Sequence, residues 1–250
     1  MSSSISKSWT GAHLIRRLLK LARLLRHRPY RRGLCQGVAA AIEHVHFLEQ
    51  QWFDTIVDVG ANKGQFSMVA RRFNPNATIH AFEPMPEAAD CLTRIFTKDP
   101  GYHVYRYALG ENSADQDLHL SRRRDSSSLL PIAQAQVTQF SGTEEVGTVT
   151  VEVKRLDEVI SVPMAPVLLK LDVQGYELQV LRGAEKLLPS ITAIYAECSW
   201  VELYEGQALI DEVASYLATH GFEQIAQYNL VTDRDGHPVQ ADILFTRAGA

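Results

Sequence analysis

The sequence predicts an α/β fold built on a mostly parallel sheet. Three observations carry that expectation. From Asp54 onward, short apolar runs of strand length alternate with stretches of helical periodicity, the pattern of successive βαβ units. A glycine-containing turn, residues 58–64, falls where the first apolar run ends and a helical stretch begins. The second run ends in an acidic residue followed by proline, at Glu83 and Pro84.

The elements follow in chain order. Residues 1–12 are polar and rich in Ser. Residues 13–28 repeat with a helical period, placing Leu14, Ile15, Leu18, Leu21, Ala22 and Leu25 on one face and Arg16, Lys20, Arg23 and His27 opposite. Pro29 is expected to stop that helix, and a second helical stretch over 33–49 leads into the main domain. This divides the chain into a basic helical extension, 1–50, and an α/β domain, 51–250. Within the domain, strands are expected at 55–60, 78–82 and 102–108, with helices at 65–73 and 87–98. A polar stretch at 111–147 then interrupts the rhythm as a candidate substrate loop or lid, before an extended run at 149–154. Strands at 167–173, 191–198, 222–228 and 241–246 and helices at 177–188 and 210–220 complete the pattern. The last two strands are joined by a tight turn at Asp235 and Gly236 and should run antiparallel.

Composition narrows the function classes. With 250 residues, 46% of them hydrophobic, the chain is long enough to bury a substantial core, and 15 Gly, 10 Pro and 3 Cys exclude collagen-like, low-complexity and disulfide-framework proteins. Cys35, Cys91 and Cys198 cannot all pair and have no metal-site spacing, which favours a reducing, cytoplasmic setting without structural zinc. The net charge of −4 conceals an asymmetry, because the first 42 residues hold nine basic residues and no acidic one. No uncharged apolar run approaches the ~20 residues of a membrane span. The basic segment instead suits peripheral contact with an anionic membrane, a targeting role, or packing on the domain. An acidic domain without a reading motif argues against nucleic acid as a partner.

The turn Asp58-Val-Gly-Ala-Asn-Lys-Gly64 carries the chemistry. Glycines let a ligand approach the backbone, and a helix N-terminus favours an anionic or carboxylate-bearing group. Glu83 follows Gly60 by 23 residues, where an acidic side chain in a nucleotide-binding α/β unit reaches ribose hydroxyls. A phosphate-binding loop needs GxxxxGK[ST], but Lys63 precedes Gly64 and Gln65 takes the hydroxyl position. A dinucleotide loop needs GxGxxG, which the spacing of Gly60 and Gly64 does not supply. S-adenosylmethionine, a nucleoside with a charged tail and no phosphates, suits this layout, and an NAD-dependent oxidoreductase fits less well.

These segments resemble the FkbM-type S-adenosylmethionine-dependent methyltransferases. The resemblance runs in order through residues 57–67, Phe82-Glu-Pro-Met-Pro86, Ala108-Leu-Gly110, Ser127-Ser-Leu129, Leu156-Asp157, residues 168–177 and Val180-Leu-Arg-Gly183. It implies a Rossmann-like class I methyltransferase fold with strand order 3-2-1-4-5-7-6, helices on both faces, and methyl transfer, usually to an oxygen, on a sugar, glycan, lipid-linked or secondary-metabolite acceptor. It also implies that Asp58, Gly60, Asn62 and Gly64 border the methionine part, Glu83 the ribose, Pro84 and Met85 one adenine face, and Ala108 and Leu109 the other. Gln174 departs from the Glu that many relatives carry there. The competing non-enzymatic reading is a membrane or assembly protein with a degenerate pocket.

Parallel sheets bind ligands at the carboxyl ends of their strands, where Lys170 and Asp172 point to one face. Asp172 is a contact to the cofactor's amino group or a general base, and Lys170 positions it or stabilises an alkoxide. Glu197 is the second candidate base. Asp172, Glu177 and Glu197 could instead gather a divalent ion, but no metal site is predicted. His44 and His46 should diverge and serve as packing or surface residues. Arg122, Arg123 and Arg124 are either a solvated charge run or forks for an anionic acceptor.

Overall fold

The computed structural model describes residues 27–161 and 163–247. The helix expected at 13–28 lies outside the described residues but for its last two. Pro29 sits in the first turn of α1 (Arg28–Cys35), after an extended His27, so this helix begins before the expected residue 33. There its missing N–H costs nothing and its fixed φ is already helical. The stretch expected as one helix over 33–49 is broken. Gly37 adopts φ +72°, and only a 3-10 turn at Ile42–His44 and the short α2 (Val45–Leu48) follow. Tyr30, Val38, Ala40, Phe47 and Leu48 are buried in one cluster with Ile56 and Ile79 of the central sheet and Met68 of a helix packed on it.

The central sheet contains β1 (Thr55–Val59), β2 (Thr78–Phe82), β3 (Tyr102–Tyr105), β7 (Val167–Leu171), β8 (Ala193–Ser199), β9 (Phe222–Thr232) and β10 (Pro238–Arg247). Their order is β3-β2-β1-β7-β8-β10-β9, which in chain order of these seven is the expected 3-2-1-4-5-7-6. All neighbours are parallel except β10, which runs antiparallel to β8 and β9. Helices cover both faces. On one side α3 (Gln65–Phe73) and α4 (Pro86–Phe96) join the N-terminal segment over Ile56 and Leu168. On the other, α6 (Leu156–Val159), α7 (Glu177–Gly183) and α8 (Ile210–Thr219) pack over Val57, Leu169 and Ile194.

Within the region expected as a loop or lid, 111–147, lies a strand, and with the run expected to be extended at 149–154 it joins a second sheet, ordered β4-β6-β5 and made of β4 (Ala108–Leu109), β5 (Ala114–Ser121) and β6 (Glu145–Lys154). The chain leaves β3 after Tyr105, so the strand expected over 102–108 is two strands in two sheets. Ala108, Leu118, Val151 and Val153 form its small core, and most other residues of β5 and β6 are exposed. That exposure explains why the segment reads as polar. A 3-10 turn at Arg124–Ser126 and α5 (Gln134–Gln139) connect β5 to β6.

Candidate active site

The carboxyl ends of β1, β2, β7 and β8 open into a cleft of about 560 Å³, closed on its far side by the second sheet. Gly60, Asn62, Glu83, Pro84, Met85, Ala108, Leu109, Lys170, Asp172 and Glu197 all line it. Asp58 and Gly64 stand behind that lining.

The first wall is the turn after β1. Gly60 has φ +73°, and a Cβ there would collide with the carbonyl oxygen of Asp172, so this crossing of two loops requires glycine. The Gly60 and Ala61 amides donate to the Phe82 carbonyl at 3.1 and 3.0 Å, tying the turn to the end of β2. Gly64 caps α3 in the left-handed region, with Leu92 and Phe96 occupying the space a side chain would need.

Glu83 joins the first two loops. Its Oε2 accepts the Asn62 amide at 2.9 Å and its Oε1 accepts the Met85 amide at 2.8 Å. Burial pushes its pKa up to about 7, against the pull of those two amides. Met85 packs on the core of the second sheet, and Leu109 is buried in the main core while also facing the cleft.

The sheet's period of two explains the row of charge beside this wall. Ile56 and Leu168 point into the apolar core, so Asp58 and Lys170, two residues on, occupy the same face where the strands end. The Lys170 ammonium lies 3.2 Å from Asp58 Oδ1 and 3.4 Å from Asp172 Oδ2, and donates to the Gly60 carbonyl at 3.2 Å. Burial disfavours its charge, but Asp172 and Asp58 outweigh that and hold its pKa above the ordinary lysine value. Asp58 is fully buried and also accepts the Ser67 hydroxyl at 2.6 Å.

On β8, Glu197 lies opposite Asp242 of β10. Burial, then the carboxylates of Asp172, Asp242 and Glu177, push its pKa well above the usual range. Glu177 itself is turned away from the cleft: its Oε1 accepts the Val173 and Gly175 amides at 3.3 and 3.1 Å, and burial raises its pKa to about 7. Asp172, Glu177 and Glu197 therefore do not converge on one point. Among the described residues, the side chains with metal-like spacing are Asp233, Asp235 and His237, in the β9–β10 turn outside the cleft lining. There Asp233 accepts the Asp235 and His237 amides, which accounts for their proximity as turn geometry.

Several wall residues carry no sequence signal. Ala39–Ala41 and His44 close the cleft from the N-terminal segment, and Val231 and Gln240 from the last hairpin. His44 contacts the Tyr195 hydroxyl at 3.1 Å and Asp242 at 3.5 Å, whereas His46 is exposed. Of the arginine run, Arg123 and Arg124 line the cleft, while Arg122 faces Glu144 outside it.

A glycine turn without phosphate-loop spacing, a buried carboxylate ending the next strand, and charged groups where β7 and β8 end define an S-adenosylmethionine-dependent class I methyltransferase. The residues fit that cofactor: the backbone crossing at Gly60 leaves no side chain in the way, and Glu83 presents a carboxylate to the same space. Residues 58–223 match the methyltransferase FkbM domain, and the chain belongs to that family. It is 28% identical over 181 residues to the 2-O-methyltransferase NoeI of Sinorhizobium fredii, covering 69% of this chain and 74% of that protein. It is 33% identical over 148 residues to the hexuronic acid methyltransferase AglP of Haloferax volcanii, covering 58% and 55%. The 31-O-demethyl-FK506 methyltransferase FkbM of Streptomyces tacrolimicus is 27% identical over 224 residues, covering 78% and 83%.

Proposed function

We propose that this methyltransferase transfers its methyl group to a hydroxyl on a sugar, glycan, lipid-linked or secondary-metabolite acceptor. The observation that carries this reading is the placement of Asp172 and Glu197 in the same cleft as the Gly60 turn and Glu83. S-adenosylmethionine supplies a methyl group on a sulfonium, already strongly electrophilic, so the protein's tasks are in-line positioning and removal of a proton from a weak nucleophile. Gly60 and Asn62 border the methionine part, with Asp58 and Gly64 supporting the turn from behind. Glu83 accepts the ribose hydroxyls, and Pro84, Met85, Ala108 and Leu109 flank the adenine.

Asp172 takes the hydroxyl proton. Its side chain is 39% exposed and pairs with the Lys170 ammonium, whose charge also stabilises an alkoxide as it forms. Glu197, at the same end of the cleft, is the second candidate for that role once ionised. The acceptor would lie against Ser126–Leu129, Gln136 and Phe140, which line the remaining wall. The name of AglP, a hexuronic acid methyltransferase, supports a sugar acceptor, and those of the 2-O-methyltransferase NoeI and the 31-O-demethyl-FK506 methyltransferase FkbM support transfer to oxygen. The basic residues preceding Ile42 are read as a peripheral contact for anionic membranes, expected to bind anionic liposomes more than a chain lacking residues 1–32. No helix among the described residues is long and apolar enough to cross a membrane.

Incubation with S-adenosylmethionine and a fractionated cell extract, followed by mass spectrometry, tests the reading. A product one CH₂ heavier, with its new methyl on oxygen and lost in Asp172→Ala, is expected. Methylation at nitrogen or carbon, or saturating calorimetry without S-adenosylhomocysteine binding, would overturn it.

A further inference from the structure

The loop after β7 places Gln174 in the left-handed region, at φ +56°, a backbone conformation uncommon for residues other than glycine. Its side chain is committed at both ends. The amide Nε2 lies 2.8 Å from Asp172 Oδ1 and 2.9 Å from Glu197 Oε2. Oε1 accepts the Tyr204 hydroxyl at 2.7 Å, and that hydroxyl in turn accepts Gln136 Nε2 at 3.0 Å. The Gln174 carbonyl accepts the Ser128 hydroxyl at 2.7 Å, fixing the backbone as well. The amide orientation follows from charge: the reverse would aim an oxygen at two carboxyl oxygens, those of Asp172 and Glu197. A primary amide has two N–H donors, and here each has one carboxylate.

We infer that Gln174 is a positioning residue for methyl transfer, whose amide spans Asp172 and Glu197, holds the two carboxylates in one geometry, favours the charged form of Glu197, and occupies the place between them that a cation would take. The inference rests on the reading that these two carboxylates face the acceptor. The physical problem it solves is repulsion. Glu197 is surrounded by Asp172, by Asp242 from β10 and by Glu177 from α7, with Lys170 as its nearby cation, Asp58 beyond that cation, His44 beyond Asp242, and the Tyr204 hydroxyl across the amide. A second ammonium between the carboxylates would hold them together but make them poor bases. A neutral donor holds the same geometry and leaves their basicity available. The buried Tyr204, held in turn by Gln136, keeps the amide from turning over.

Carboxyl-carbon NMR on the full chain, labelled in Asp and Glu and with the Glu197 signal assigned through Glu197→Gln, reads the bridge without any acceptor. Gln174→Met, similar in size but unable to donate, is expected to raise the Glu197 titration midpoint by about one pH unit or more. Gln174→Glu adds a third carboxylate and should raise it further. In that variant alone, Mg²⁺ is expected to bring the midpoint back down. S-adenosylhomocysteine affinity by calorimetry should stay within about threefold of the parent, reporting an intact fold and cofactor site. If Gln174→Met does not fold, Tyr204→Phe, which frees Oε1, should give a smaller shift of the same sign. An unchanged midpoint in a variant that still binds S-adenosylhomocysteine would overturn the inference, as would a Mg²⁺-dependent midpoint in the parent protein. Failure of the parent to bind S-adenosylhomocysteine would count against the proposed function instead.

Discussion

Asp58 and Lys170 are register partners on the adjacent parallel strands β1 and β7, and their side chains meet at 3.2 Å on the face where the apolar core stops. The pair lies almost wholly out of solvent, with 0% and 5% of the respective side chains exposed. Its net contribution to stability is therefore set by desolvation as much as by attraction. What it does geometrically is clearer. One ammonium faces a carboxylate of β1, a carboxylate of the β7 loop and the carbonyls of Val59 and Gly60, so both loops that shape the cofactor end are fixed to one atom.

Lys170→Met should therefore be costly, because it leaves Asp58 charged and buried without a cation. A loss of about 3 to 5 kcal/mol in unfolding free energy is expected by denaturant titration. Adding Asp58→Asn to that variant should restore a substantial part of the loss, since the uncompensated charge goes with it. If the double variant is no more stable than Lys170→Met alone, the cost lies in the lost carbonyl contacts and not in the ion pair.

Glu83 gives cofactor binding a pH dependence. Its pKa of about 7 means that it is largely protonated at pH 6 and largely ionised at pH 8. Ribose hydroxyls donate best to the ionised form, so S-adenosylhomocysteine affinity should rise with pH, by up to about tenfold per unit below 7. Glu83→Gln should flatten this dependence and weaken binding at pH 8 by about ten- to a hundredfold, as expected for loss of a charge-assisted hydrogen bond. Calorimetry at pH 6, 7 and 8 checks both. Equal affinity of the parent at all three values would remove Glu83 as the ribose contact.

Much of this site was legible because it obeys local rules. The glycine turn, Glu83 and the Lys170-Leu171-Asp172 strand end lie where β1, β2 and β7 stop, and strand periodicity alone places Lys170 and Asp172 on one face. The sheet order came with the family resemblance, since hydrophobic pattern does not encode which strands are neighbours. The second sheet was only partly legible: β6 contains the extended run read at 149–154, whereas β5 buries one narrow face and looks polar along most of its length. The cleft positions of His44 and Gln136, and the Tyr204 hydroxyl behind Gln174, were invisible because distant parts of the chain come together there through tertiary packing without a local motif. The start of α1 at Arg28 was not read from Pro29 because proline both ends and begins helices, and only the backbone that follows shows that it begins one here.

Gly60→Ala tests the crossing of the β1 and β7 loops. The added methyl would meet the Asp172 carbonyl, and φ +73° is strained for any residue with a Cβ. Destabilisation of about 1 to 3 kcal/mol is expected, with S-adenosylhomocysteine affinity falling more steeply than stability because the displaced loop borders the cofactor. Gly206→Ala is the internal control. It shares a positive φ, at +76°, but has open space around it, so it isolates the backbone cost from the collision.

Glu177 provides a stability test independent of catalysis. Its carboxyl clamps the β7 loop through the Val173 and Gly175 amides, yet burial raises its pKa from 4.5 to about 7. An acid whose folded pKa is raised binds more protons folded than unfolded between those two values. Stability therefore falls as pH rises from about 4.5 through 7, by up to about 3 kcal/mol from this group, and levels off above. Glu177→Gln keeps an acceptor oxygen for both amides and removes the titration. Its unfolding free energy should decline less than the parent's between pH 5 and 8, so the two curves diverge in the variant's favour at the alkaline end. Parallel curves across that range would mean that the clamp is already ionised in the folded protein at pH 5, with the two amides outweighing burial.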